Sequence, residues 1–360
     1  MVRRLLLLNG IAVIGVTVNH ASGYGFRAMF LWTDRYLPVS VPDYSQAGSL
    51  AFYGIALTQQ LIYFTLPAFL FVSGFFVAFS AGRDNPHLNW SVVFARVKTF
   101  GIPLIIWIGI IFTFFLRRFP ISLNDTLIHY YYIPLLIQFY LLAPWLVRVA
   151  KNRPLLVLSL GALLELGRDT IYYLDAIGLR IPELILMKSL TPPWLIPTLF
   201  FWFVLGIVAG IHRESFSRFL LRHKRIFLSL LIALVPITLV EYQAVWIISG
   251  KAWLGPYFGG YTRFLYALAF LLCFLAYDLA SLPFGKWLAE LGSRSLGVYL
   301  AHGPVMYLVA TLLYKATPWM LGMQVLYQGI LIVGGLGIPL MVMEFFVRTQ
   351  LRFAYHFIFG

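Results

Sequence analysis

The segment LPAFLFVSGFFVAF, residues 66–79, decides the fold class. It closes a stretch, 50–80, that contains no Asp, Glu, Lys or Arg. Roughly 20 apolar residues suffice to cross a hydrocarbon core of about 30 Å. The stretch is therefore long for one crossing, and Pro67 within it predicts a kink or a break. Comparable apolar runs lie at 5–22, 99–116, 129–148, 154–173, 194–212, 226–247, 262–281, 288–312 and 323–346, which makes ten expected spans.

Composition agrees with this reading. Hydrophobic residues make up 61% of the 360 and charged residues 11%, against about 45–50% and about 25% in soluble domains. The expected fold class is an all-α polytopic transmembrane helix bundle, a single integral-membrane domain over 1–360. The N-terminal MVRRLLLL has the look of a secretory signal, but no small-residue cleavage site follows, so it is read as the start of the first permanent span.

An even number of spans puts both termini on one side, and basic residues choose the side. With the N-terminus in the cytoplasm, 17 of the 27 Lys and Arg fall on inner loops and helix ends, Arg3, Arg4, Arg148, Lys151 and Arg222 among them. Both termini are thus expected to be cytoplasmic. The net charge of +14 reads the same way, as contact with anionic lipid headgroups, because no aqueous segment interleaves basic and aromatic residues as a nucleic-acid site would. Cys273 is the only cysteine and lies in an apolar run, which excludes an intrachain disulfide.

Ionisable groups within spans are costly and mark functional interiors. His20 is about 15 residues beyond Arg4, or about 23 Å along a helix, which places it in the outer half of the membrane. His302 is 12 residues beyond Glu290, about 18 Å inward on another span entering from the same side. Two imidazoles at comparable depth on parallel helices can face one cavity, and imidazole is the usual general base near neutral pH. Ser73, beside Gly74, is a candidate substrate-binding group, although small residues there equally suit helix packing. Arg96 and Lys98 sit at the cytoplasmic mouth of the third span, where they suit a phosphate-bearing ligand or ordinary anchoring. His129 opens the fourth span as a candidate acceptor-site residue. Tyr130, Tyr131 and Tyr132 follow it, and an aromatic belt accounts for them. Glu165 and Arg168 share a helix face three residues apart, so mutual pairing is expected.

Five segments occur in a fixed order: NGIAVIGVTVNH, FLFVSGFF, ARVKTFGIP, YYYIPLLIQFYLLAPWL and LGSRSLGVYLAHGPV. Together they resemble the acyltransferase 3 family of integral membrane acyltransferases, across nearly the whole chain. The resemblance implies a ten-helix bundle that transfers an acyl group, commonly acetyl, from a cytoplasmic acyl-CoA. The acceptor it implies is a hydroxyl of a cell-surface or lipid-linked saccharide. His20 matches the family's essential histidine, and Arg96 the first basic position of the pair expected to hold CoA phosphates. Two positions depart. Asn9 stands eleven residues before His20, about 16.5 Å down the helix, where the family carries Arg or Lys. Thr99 replaces the second basic residue, with Lys98 adjacent.

The expected activity is therefore O-acyl transfer. His20 and His302 are its catalytic candidates, Asn9, Arg96 and Lys98 would bind the acyl-CoA co-substrate, and Ser73 and His129 would bind the acceptor. No resident cofactor and no metal are expected. The expected partners are membrane lipids, acyl-CoA and a saccharide or glycolipid, and the expected location is the cell (inner or plasma) membrane, multi-pass. The alternative is a saccharide or lipid-linked saccharide transporter, in which the same histidines would bind protons and no ester would form.

Overall fold

The computed structural model describes residues 2–82, 87–115, 130–179, 181–253, 260–277 and 284–360. Of the chain's described residues, 83% are helical. Its long helices are α1 (Val2–Phe30), α2 (Leu50–Leu61), α3 (Thr65–Ala81), α4 (Trp90–Phe115), α5 (Tyr132–Asn152) and α6 (Pro154–Ala176). They continue as α7 (Pro182–Leu190), α8 (Phe200–Ile211), α9 (Arg213–Ser249), α10 (Tyr261–Ala276), α11 (Gly285–Ser293), α12 (Ser295–Ala316) and α13 (Gln324–Arg348), and a final turn α14 covers Tyr355–Phe359. The strands β1 (Trp32–Thr33) and β2 (Leu37–Pro38) form a small antiparallel hairpin beyond α1. Among the described residues, seven helical segments are long and apolar enough to cross a membrane. The chain is a multi-pass membrane protein.

Each of the ten expected spans contains helix; the break expected in 50–80 is present, and two other runs are corrected. The run 50–80 is two helices, parted at 62–64, so that Pro67 stands in the first turn of α3, where its missing N–H leaves no intrahelical bond unmade. Of 194–212, only Phe200–Ile211 is helical, and its 12 residues reach about 18 Å. The run 288–312 is not one helix either. Gly10 of α1 meets Leu288 and Leu6 meets Gly292, so α11 runs antiparallel to α1. The chain turns at Arg294, and α12 then follows α1 in parallel, with His302 beside His20 and Tyr314 beside Trp32. The depth of His302 is thus counted from Ser295, seven residues or about 10.5 Å, rather than from Glu290.

Glycine allows two backbone-on-backbone crossings that hold the bundle. A Cβ on Gly74 would fall 2.0 Å from the Phe203 carbonyl oxygen, and one on Gly206 would fall 2.1 Å from that of Phe71. The helices α3 and α8 are therefore in main-chain contact. At the α1–α11 crossing, a Cβ on Gly10 or on Gly292 would lie 1.9 Å from the carbonyl of Leu288 or Leu6. In lipid such close approach replaces the hydrophobic drive that water would supply. Ser73-Gly74 accordingly serves packing through Gly74.

The charges on α6 do not pair as their spacing predicts. Glu165, 3% exposed, accepts hydrogen bonds from the Phe201 backbone N–H at 3.2 Å and from Trp202 Nε1 at 2.7 Å. Arg168 pairs instead with its neighbour Asp169 at 2.9 Å and lies 3.9 Å over the ring of Tyr172. The first turn of α8 has backbone donors without intrahelical acceptors, and a buried carboxylate meets that need better than a guanidinium already stacked on an aromatic ring.

Candidate active site

Proline builds the centre of this site. Pro304 lies within α12 and has no N–H, so the carbonyl of Leu300, four residues earlier, loses its intrahelical partner. The Tyr130 hydroxyl donates to that carbonyl at 3.0 Å. In the same turn, His302 Nδ1 lies 2.6 Å from the carbonyl oxygen of Tyr299 and 3.2 Å from that of Val298. Carbonyls only accept, so Nδ1 carries the proton and Nε2 carries the lone pair. Nε2 is buried and has no hydrogen-bond partner among the described residues.

The ring of His20 stands edge-on to this imidazole, centroids 4.9 Å apart at 61°. The two histidines differ in access: His302 is 4% exposed, whereas His20 faces open space. Glycines without close neighbours, Gly23 on α1 and Gly303 on α12, lie next to the pair in sequence. Parallel helices at matched register thus bring together the residues predicted to share a cavity.

A file of hydroxylated rings leads from the pair into the bundle. Tyr299 lies 5.6 Å from His302 and 5.3 Å from Tyr132, centroid to centroid. The Ser73 side chain lies near the hydroxyls of Tyr132 and Tyr140, and Tyr140 lies in the field of Arg96. Tyr130, Tyr132 and Tyr140 are buried, so the tyrosine run of α5 is interior rather than an interfacial belt. Ser73 sits partway along this file, two rings from the histidines.

The remaining predicted residues are placed as follows. Arg96 and Lys98 are exposed in the first turns of α4, and the hydroxyl of Thr99 folds back on the Ala95 carbonyl at 3.0 Å. Asn9 is half-buried on α1, and its Oδ1 has no donor among the described residues. His129 lies outside the described residues. The tyrosines of the file escaped the sequence reading as site residues. The available signal was Pro304, which creates one unpaired carbonyl and so requires a donor from a neighbouring helix.

A protein-family model described as an acyltransferase domain matches residues 4–344, nearly the full length of the chain. The chain belongs to the acyltransferase 3 family. This acyltransferase is accordingly an enzyme that transfers acyl groups to hydroxyl acceptors in a membrane. No curated protein and no solved structure matches it. The matched region contains the whole of the acyltransferase's histidine pair, the tyrosine file and the basic turn of α4.

Proposed function

We propose that this acyltransferase moves an acyl group, acetyl in the simplest case, from a cytoplasmic acyl-CoA to a hydroxyl of a cell-surface or lipid-linked saccharide, in the inner or plasma membrane. The observation that carries the reading is the pairing of an accessible imidazole, His20, with a buried one, His302, whose Nε2 is an unoccupied acceptor. His20 removes the acceptor's hydroxyl proton. In this reading its second ring N–H donates to His302 Nε2, as the orienting member of a triad receives the proton-bearing edge of a catalytic histidine. The alkoxide attacks the thioester carbon, a C–O bond forms and the C–S bond breaks. The proton passes from His20 to the departing thiolate, so atoms and charge balance.

Arg96 and Lys98 are suited to the phosphates of the donor, and the Ser73–tyrosine file to its passage towards the histidines. Asn9 suits a different contact. Its buried Oδ1 can accept from an amide N–H of the pantetheine arm but cannot neutralise a phosphate. His129 remains a candidate for the acceptor side. Membership of an acyltransferase family does not favour the transporter alternative.

The test compares membranes from cells lacking the protein, carrying it unchanged, or carrying His20→Ala at equal level, each supplied with labelled acetyl-CoA. Alkali-labile label on glycans or glycolipids is expected only with the unchanged protein. Equal ester content in all three, with the native acceptor present, would overturn the reading.

A further inference from the structure

One cation near the histidine pair has no role in the transfer described above. Arg27 follows His20 by seven residues on α1, twenty degrees short of two full turns, so it stands on the same helix face about 10.5 Å further along. It is exposed, and its guanidinium carbon lies 5.9 Å from the Trp32 ring centroid, with Tyr314 packed against that ring at 5.1 Å. No carboxylate among the described residues forms an ion pair with it.

A second, independent observation lies beside it. Tyr327 of α13 is fully buried, yet its hydroxyl has no hydrogen-bond partner among the described residues. A buried polar atom without a partner is uncommon and calls for a missing group. Tyr24 lies on α1 four residues after His20 and three before Arg27, and Tyr327 packs in one cluster with Tyr24 and with Trp32, the ring over which Arg27 lies. The cluster therefore offers one fixed positive charge and two phenolic donors, and no acceptor carboxylate. A neutral sugar is served by mixed donors and acceptors. This set suits an oxyanion with several acceptor oxygens.

We propose that Arg27, with the hydroxyls of Tyr24 and Tyr327, is a subsite for a phosphate ester of the acceptor, held on the α1 face that presents His20. The proposal rests on the reading of His20 as the point of transfer. It narrows the acceptor class to saccharides joined to their carrier through phosphate, with one or two sugar units filling the space between Arg27 and the histidine.

The test measures binding of two probes to the full-length protein in phosphate-free maltoside micelles. One probe is glucosyl phosphofarnesol and the other is farnesyl glucoside, which lacks the phosphate. The phosphorylated probe is expected to bind the unchanged protein about 10–100-fold more tightly, the range for hydrogen bonds to a charged group. In Arg27→Gln the ratio should fall to near one, Arg27→Lys should keep part of it, and Tyr327→Phe should lower it less than Arg27→Gln does. A ratio near one in the unchanged protein, or a ratio that survives in Arg27→Gln, would overturn the proposal. Competition by phosphatidylglycerol as strong as by the probe would also overturn it, by assigning the cation to bulk lipid. Ester formation is followed separately with acetyl-CoA on the same preparations. Failure of transfer thus bears on the His20 reading, and the binding ratio bears on Arg27.

Discussion

The Tyr130 hydroxyl occupies the backbone carbonyl that Pro304 leaves open at Leu300, across 3.0 Å, and so ties the turn that leads into α5 to helix α12. The contact fixes the turn of α12 from which His302 projects.

Tyr130→Phe should therefore destabilise the protein by about 1–3 kcal/mol, the cost of an unpaired buried acceptor. It should also lower the rate of transfer. Adding Pro304→Ala supplies an N–H four residues after Leu300 and should recover most of the stability. The measurement is thermal unfolding in detergent of the two single variants and the double. A double variant no more stable than Tyr130→Phe would refute the account of the proline.

The histidine pair makes a prediction of non-additivity. Loss of a general base costs typically about 10²–10⁴ in rate, and groups acting as a unit do not contribute independently. His20→Ala should fall in that range, with His302→Ala less severe and the double variant close to His20→Ala alone. Multiplicative losses in initial rates of ester formation would show instead that the two imidazoles act separately.

A third prediction concerns Glu165, whose carboxylate receives two buried donors from the start of α8. Glu165→Ala strands the Phe201 N–H and the Trp202 indole N–H together, and should cost about 1–3 kcal/mol for each. Trp202→Leu in the Glu165→Ala background should then be milder than Trp202→Leu alone, because one stranded donor has gone. Unfolding midpoints of the four proteins give the coupling directly, and strict additivity would contradict the shared carboxylate.

Much of this was legible in the sequence, for definite reasons. Charge-free runs such as 50–80 gave the helices, because lipid tolerates little else. His20 and His302 were visible as imidazoles out of place in apolar surroundings, and they do meet, although the depth count from Glu290 ran through the reversal at Arg294. The reversal at Arg294 was not visible, since LGSRSLGVYL carries neither a proline nor a charge cluster that would separate a turn from a continuing helix. The pairing of Arg168 was misjudged because helical spacing describes one helix in isolation. The competing partners, the Asp169 carboxylate and the Tyr172 ring for Arg168 and the start of α8 for Glu165, depend on rotamers and on a neighbouring helix. The tyrosines of α5 were ambiguous on composition, because interior and interfacial tyrosines look alike until a neighbouring helix supplies an acceptor.

The site joins the first long helix to one near the chain's end, and this has a consequence for biosynthesis. His20 leaves the ribosome 282 residues before His302 (302 − 20), which at about 5–20 residues per second is roughly 15–60 s of translation. Through that interval α1 stands in the membrane without α11 and α12, its Asn9 and His20 lacking those neighbours. No fragment that stops short of α12 can assemble the histidine pair. Under the proposed mechanism, chemical competence therefore arrives late and in one step, and a chain interrupted before α12 would be inert.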